Sequence, residues 1–110
     1  MRVFISKAFS SAIVNLPRKE MEIFNEKVDI LKNMTQKDIT ESDAVIKLID
    51  KKDLVVYAYN IQASVYVLFT FKEKSKIILL DEIELIDDNE IKSLVYSDVI
   101  AKIKKDDEDD

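Results

Sequence analysis

The stretch from Leu54 to Phe71, LVVYAYNIQASVYVLFTF, contains no charged residue, although the chain is 35% Asp, Glu, Lys and Arg. A membrane helix needs roughly 20 mostly apolar residues, so the stretch is close to that length. Polar residues such as Asn60 and Gln62 would, however, be costly in hydrocarbon. A β-hairpin that turns between Asn60 and Ala63 accommodates them. The stretch is therefore predicted to form two central strands that are covered on at least one face.

Two further runs rich in β-branched and aliphatic residues flank this hairpin. AVIKLID precedes it, and KIILLDEIELI follows it. Short polar connections such as KKD and KEKS separate the runs, which is typical of an antiparallel meander. The sequence thus predicts a four-stranded antiparallel sheet.

Two helices are predicted before the sheet. A short apolar run, Val3 to Ile5, reads as a possible leading strand, and Ser6 is suited to cap a first helix. Pro17 ends that helix and begins a second one that runs to about Asn33, because proline fits only the first turn of a helix. The second helix has apolar residues at helical spacing, namely Met21, Phe24, Val28 and Leu31.

The remaining segments complete an α+β fold. MTQKDITESDA, residues 34–44, is predicted to be a loop, and DDNEIKSLVYSDVIAKIKK, residues 87–105, a C-terminal helix. The fold class is therefore α+β, with a helical hairpin packed on a four-stranded antiparallel sheet and a helix at the end. Residues 1–105 are expected to form one domain, and the acidic run Asp106–Asp110 a disordered tail.

Three of the residue types that are missing from the chain exclude several classes of function. There is no Cys, no His and no Gly. Without Cys and His, disulfides, thiol or imidazole catalysis and ordinary zinc sites are excluded. Without Gly, the glycine-rich nucleotide-binding loops are excluded, and turns with positive φ are expected at Asn, Asp or Lys. No cofactor is expected.

The net charge of −5 comes from the tail. Removing the five acidic residues 106–110 from 22 leaves 17, which equals the 17 Lys and Arg. The body of the protein is neutral, so a broadly basic nucleic-acid-binding surface is not expected. The first residues, MRVFISKAFSSAIVNLP, lack the unbroken apolar core and cleavage site of a secretory signal, and a cytoplasmic location follows as an expectation.

The order of these parts resembles the RelE/ParE superfamily, the small toxins of bacterial and archaeal type II toxin–antitoxin modules. The resemblance covers about residues 3 to 86. It rests on FSSAIVNLPRKEMEIFNEKVDIL as a helical hairpin, VIKLIDKKDLVVYAY as the first strand pair, and VYVLFTFKEKSKIILLDEIELI as the closing hairpin. It implies a toxin-type protein with a cognate antitoxin as partner. Depending on the member, the superfamily's targets are messenger RNA on the ribosome or a topoisomerase, and a homodimer is a further alternative.

The chain departs from this family where its RNA-cleaving members carry basic residues. The typical Tyr-Arg pair of the closing hairpin is Tyr66-Val67 here, and the last strand ends in DEIELI, with Asp81, Glu82 and Glu84. In the family the basic residues hold the scissile phosphate and stabilise charge in the transition state. Valine and carboxylates cannot do so. The resemblance therefore implies the fold, with catalysis lost or relocated.

A relocated site has four candidate residues: Lys47, Lys51, Lys52 and Tyr66. The lysines cluster at the first strand and its turn, and Tyr66 lies on the neighbouring hairpin with Tyr57 and Tyr59. Solvated lysines and packed tyrosines explain the same pattern without any site. The acids from Asp81 to Asp88 alternate along a strand and lack a glycine-containing calcium loop, so no metal site is expected.

Three functions compete on this basis. The first is a toxin-type protein that acts mainly by binding other proteins. The second is a ribosome-dependent mRNA endonuclease, and thus a translation inhibitor, with a non-standard Lys/Tyr site. The third is a generic cytoplasmic interaction domain. The neutral charge and the apolar hairpin favour the first.

Overall fold

The computed structural model of the chain describes residues 1–52, 54–73 and 75–84. Its elements, in chain order, are β1 (Arg2–Ile5), α1 (Lys7–Ile13), α2 (Arg18–Lys32), α3 (Gln36–Glu41), β2 (Val45–Lys51), β3 (Leu54–Gln62), β4 (Val65–Glu73) and β5 (Lys76–Glu84). The predicted C-terminal helix at residues 87–105 and the acidic tail at Asp106–Asp110 lie outside the described residues.

The sheet has five strands in the order β1-β5-β4-β3-β2. The predicted meander forms β2 to β5, and its neighbouring strands pair antiparallel. The prediction of four strands was wrong, because β1 adds to the sheet as a fifth. It pairs parallel to β5, with Val3 opposite Ile77 and Ile5 opposite Leu79. The sheet is therefore mixed, and among the described strands β1 and β2 form its two edges.

The uncharged stretch forms β3, a tight turn and β4, as predicted. Asn60 stabilises the turn, because its side-chain amide donates to the carbonyl oxygens of Ala63 at 3.0 Å and Val65 at 3.3 Å. Ala63 takes a positive φ of 44°. The expectation that Asn, Asp or Lys would occupy such a position was wrong at this turn. No helix within residues 1–52, 54–73 and 75–84 is long and apolar enough to cross a membrane.

The first two helices begin where their sequence signals predict, and α2 ends close to the predicted Asn33, but α1 ends at Ile13 and not at Pro17. The Ser6 hydroxyl accepts the backbone N–H of Phe9 at 3.2 Å and caps α1. Pro17 occupies the cap position of α2, where its missing N–H costs nothing. Phe9 and Phe24 meet edge-on between the two helices, with ring centroids 5.7 Å apart. This contact closes the helical hairpin.

The segment predicted as a loop contains a third helix, α3. Thr35 and Asp38 form a reciprocal capping box: the Thr35 hydroxyl accepts the Asp38 N–H, and the Asp38 carboxylate accepts the Thr35 N–H, both at 3.1 Å. Those hydrogen bonds lower the pKa of Asp38. Ile39, on the next turn, is fully buried. The loop prediction was wrong because a six-residue helix is too short to show apolar periodicity, although its capping signal is present.

The helices pack on one face of the sheet. Helix α1 contacts β5, α2 contacts β1 and β3, and α3 contacts β2. The Tyr59 hydroxyl donates to the carbonyl oxygen of Lys27 at 3.2 Å and ties β3 to α2. The buried cluster on this face comprises Phe9, Ile13, Phe24, Val28, Leu31, Ile39, Tyr59, Ile61, Val67, Phe69, Ile77 and Leu79. A second cluster of strand residues comprises Ile49, Val56, Ala58, Leu68 and Leu80.

Replacing Ser6 with alanine is expected to lower the free energy of unfolding by about 1–2 kcal/mol. Ser6 is buried, and its hydroxyl also donates to the carbonyl oxygen of Leu80 at 3.2 Å, so the change removes a helix cap and a link from α1 to β5. Urea denaturation of both proteins measures the loss. Ser10→Ala, an exposed change in the same helix, is the control and should cost less than about 0.5 kcal/mol. Equal losses in both variants would contradict the assigned role of Ser6.

Candidate functional site

The three candidate lysines lie on β2 and in the turn that follows it. Lys47 is exposed, and its ammonium lies 3.6 Å from a carboxylate oxygen of Asp50 and 5.9 Å from the centre of the Tyr57 ring. Lys51 is the last residue of β2, and Lys52 follows in the turn to β3. The three ammonium groups are thus carried by one edge strand and its turn, and Lys47 is partly neutralised by Asp50.

Lys52 lines a cleft at the end of the sheet where β3 begins and β4 ends. The cleft has a volume of ≈ 330 Å³ and is also lined by Gln36, Leu54, Val55, Tyr57, Thr70 and Phe71. Its size falls within the range of small-molecule sites. A lysine, a phenol and a phenyl ring together suit an anionic ligand with a flat apolar part. Gln36 and Thr70 could not be identified as cleft residues from the sequence, because no local pattern connects α3 and β4 to the turn after β2.

The aromatic wall of the cleft belongs to the core. The Tyr57 ring stacks on Phe69, with centroids 5.4 Å apart and an angle of 17° between the rings. Phe71 lies edge-on to Tyr57 at 5.3 Å. Thr70 is held by its hydroxyl, which donates to the carbonyl oxygen of Val55 at 2.7 Å. These contacts give the wall a defined shape before any ligand binds.

Tyr66 lies on the other face of the sheet. Its side chain packs against the second cluster, whereas Tyr57, the neighbour of Lys47, packs against the first. In the register of β3 and β4, Tyr57 is opposite Phe69 and Tyr66 is opposite Asn60. The structure therefore brings Lys52 and Tyr57 to one cleft and places Tyr66 away from them.

The positions that resemble the family's catalytic ones carry no positive charge in this chain. Val67 is 1% exposed and belongs to the core. Asp81 and Glu82 are half-buried on β5. Among the described residues, the side chains at these three positions offer a phosphate two carboxylates and no cation. These three side chains therefore cannot supply the electrostatic stabilisation that a cleavage transition state needs.

Glu82 lies at a small cavity between the helical hairpin and the sheet. The cavity has a volume of ≈ 40 Å³ and is lined by Leu16, Glu20, Phe24, Ile61, Gln62, Val65 and Glu82. Burial raises the pKa of Glu82, and the nearby carboxylates of Glu20 and Asp81 raise it further. None of the ion pairs among the described residues involves Glu20 or Glu82. The proximity of these two acids, 62 positions apart in the sequence, could not be predicted from it.

Replacing Glu82 with glutamine is expected to raise the melting temperature at neutral pH. Because the pKa of Glu82 is raised above 4.5 in the folded state, the fold holds the proton more tightly than the unfolded chain does. The charged carboxylate therefore destabilises the fold above its raised pKa, and this penalty disappears as the pH falls below about 4.5. The carboxyl keeps contact with solvent, so the gain should be less than about 1 kcal/mol.

Thermal melts between about pH 4 and pH 8 test this sign, because the gain must grow as the pH rises. Glu26→Gln, on the exposed side of α2, is the matched control. A stabilisation by Glu82→Gln that is the same at all pH values, or is shared by the control, would contradict the assignment.

Comparisons with known proteins agree with this fold. No protein-family model matches the chain, and no curated protein matches it. Among solved structures, the chain is similar to the crystal structure of the archaeal RelE–RelB complex from Pyrococcus horikoshii OT3. The TM-score is 0.58 and the sequence identity 27%, and the match covers 76% of this chain and 92% of that one. The resemblance inferred from the sequence is confirmed, and the chain has the fold of a RelE-like toxin.

Proposed function

We propose that the chain is a toxin-type protein of a type II toxin–antitoxin module that acts by binding proteins and has little or no RNA-cleaving activity. The proposal is supported by a RelE-like fold in which the positions that resemble the family's basic ones, Val67, Asp81 and Glu82, carry no cation. Val67 is in the core, and Asp81 and Glu82 are acidic. The similar structure is a RelE–RelB complex, so an antitoxin is the first partner to test. A cytoplasmic location is part of the proposal.

Charge supports protein binding over RNA binding. Residues 1–105 carry 17 acidic and 17 basic residues, so no net attraction draws the chain to a polyanion. Four of the basic residues are also partly neutralised by ion pairs with nearby acids: Arg18–Glu22, Lys32–Asp29, Lys47–Asp50 and Lys76–Glu73. Protein interfaces tolerate such mixed surfaces, and affinity there comes from buried apolar contacts.

Co-expression tests this function. A tagged copy of the chain is expressed together with the product of any small gene found next to its own. The complex is then purified through the tag and sized by light scattering. We expect a stable complex of defined stoichiometry. An antitoxin from an unrelated module is the control and should not be retained. Recovery of the chain alone in both cases would contradict an antitoxin partner.

A second candidate function is favoured by the cleft beside Lys52. It is the ribosome-dependent endonuclease in which Lys47, Lys51 and Lys52, with Tyr66, replace the usual basic residues. Lys52 and Tyr57 share a cleft of suitable size, and Lys47 lies over the Tyr57 ring. The position of Tyr66 on the opposite face weighs against its direct participation. Cleavage of ribosome-bound RNA distinguishes the two functions.

A further inference from the structure

The two edges of the sheet differ in how well they are protected against pairing with another strand. The β2 edge carries the exposed residues Lys47, Asp50 and Lys51, and its register shifts between Lys47 and Ile49. Charges and bulges of this kind block the addition of a strand. The β1 edge carries one exposed charge, Arg2 at its start, and its register with β5 is regular. Phe4 and Ile5 each leave 43% of their surface exposed there.

Within residues 1–52, 54–73 and 75–84, the backbone of β1 has no hydrogen-bond partner on the side away from β5. The N–H groups of Arg2 and Ser6 donate to the carbonyl oxygens of Ser75 at 2.8 Å and Leu79 at 2.9 Å. Because backbone groups alternate in direction along a strand, those of Val3 and Ile5 point away from β5. The amide and carbonyl of Val3 and Ile5 are therefore positioned to pair with an added strand.

We propose that β1 pairs with β1 of a second copy of the chain. The two strands run antiparallel about a twofold axis that passes beside Phe4. Val3 of each copy then exchanges two backbone hydrogen bonds with Ile5 of the other copy. Two five-stranded sheets become one continuous sheet of ten strands, five from each copy.

The register that this symmetry imposes is favourable for the side chains. Phe4 lies opposite Phe4 of the second copy in a non-hydrogen-bonded pair, where Cα atoms are about 4.5 Å apart and side chains are in contact. The Arg2 guanidinium already lies 5.4 Å from the centre of the Phe4 ring, so it caps this aromatic pair. Arg2 falls opposite Ser6 of the second copy, so no like charges are opposed between Arg2 and Ser6. The same short strand is thus complementary to itself, which is what a twofold interface requires.

The strand has only four residues, so the contact is smaller than a standard protein interface of about 1,600 Å². We therefore expect a reversible dimer whose population depends on concentration. The inference is independent of the proposed function. A failure here would leave the antitoxin proposal intact, and the reverse also holds.

Single cysteines test the register, because the natural chain contains none. Phe4→Cys places two thiols within the Cα separation of about 4.4–6.8 Å that a disulfide allows. We expect mild oxidation to convert this variant into a covalent dimer on a non-reducing gel. Ile5→Cys is the register control. Its two copies are offset by two residues and more than about 7 Å apart, so it should link far less. Ile30→Cys, 44% exposed on α2, controls for random collisions.

A charged substitution in β1 tests the same contact between the two copies without forming a covalent bond. Phe4→Lys places two ammonium groups face to face and should raise the dimer dissociation constant at least about tenfold in sedimentation equilibrium. Ile30→Lys is the matched control, since it replaces an apolar residue of nearly equal exposure, and should leave the constant unchanged. Thermal melts confirm that each variant is folded. A wild-type chain that stays monomeric at high concentration, or equal cross-linking of Phe4→Cys and Ile30→Cys, overturns the proposal.

Discussion

Replacing Phe69 with alanine is expected to lower the free energy of unfolding by about 3–5 kcal/mol. Phe69 is fully buried, stacks on Tyr57 and meets Phe71 edge-on at 5.6 Å. It lies on β4, the central strand of the five, where its removal leaves a cavity that neighbouring strands cannot close. Stabilities of domains of this size are about 5–15 kcal/mol, so the loss is a large share of the total. Urea denaturation measures it.

Two further variants make the Phe69 result specific. Phe69→Leu keeps most of the buried volume and should cost about half as much or less. Ile30→Ala changes an exposed apolar residue and should stay near or below about 0.5 kcal/mol. A loss below about 1 kcal/mol for Phe69→Ala would mean that the packing of Tyr57, Phe69 and Phe71 does not stabilise the fold as described.

The chain is expected to cut ribosome-bound messenger RNA at least about 100-fold more slowly than an RNA-cleaving RelE toxin. In-line cleavage needs positive charge where the phosphate gains negative charge in the transition state. The corresponding positions hold Val67, which is buried, and Asp81 and Glu82, which repel phosphate. Primer extension on translating ribosomes measures cleavage, with an RNA-cleaving family member as positive control.

A lysine variant separates a lost active site from a relocated one. If cleavage is detected, Lys47, Lys51 and Lys52 are replaced together by alanine. Lys7, Lys19 and Lys37, which are also exposed, are replaced together in a control of equal charge change. Loss of cleavage in the first variant alone would establish the endonuclease function and contradict the binding proposal. Absence of cleavage, together with an antitoxin complex, supports the binding proposal.

The starts of α1 and α2, the end of α2 and the four long strands could be predicted from the sequence, because their signals are local. Ser6 caps the helix that begins at the next residue, and Pro17 can stand only before or within a first turn. The uncharged stretch forms a hairpin, since its polar residues are tolerated at a turn and not in hydrocarbon. The absence of positive charge at Val67, Asp81 and Glu82 is likewise a property of the sequence alone.

Tertiary structure decided the features that depend on contacts between distant residues. The parallel pairing of β1 with β5 joins Val3 to Ile77, and no local pattern specifies such a partner. The six-residue helix α3 exists because Ile39 is buried against the sheet, which outweighs its short length. Ala63 accepts a positive φ because Asn60 and the strands on both sides hold the turn.

The candidate site, too, has features that the sequence predicts and features that only the tertiary structure determines. Residue types at Lys47, Lys51, Lys52 and Tyr66 were visible in the sequence, but the face on which each lies was not. Register shifts in β2 and β3 change the alternation of side chains, and burial sends Tyr57 and Tyr66 to opposite faces. By itself, the sequence determined which residue types and local elements are present. Tertiary packing determined which residues meet, because strand pairing and burial act between segments far apart in the chain.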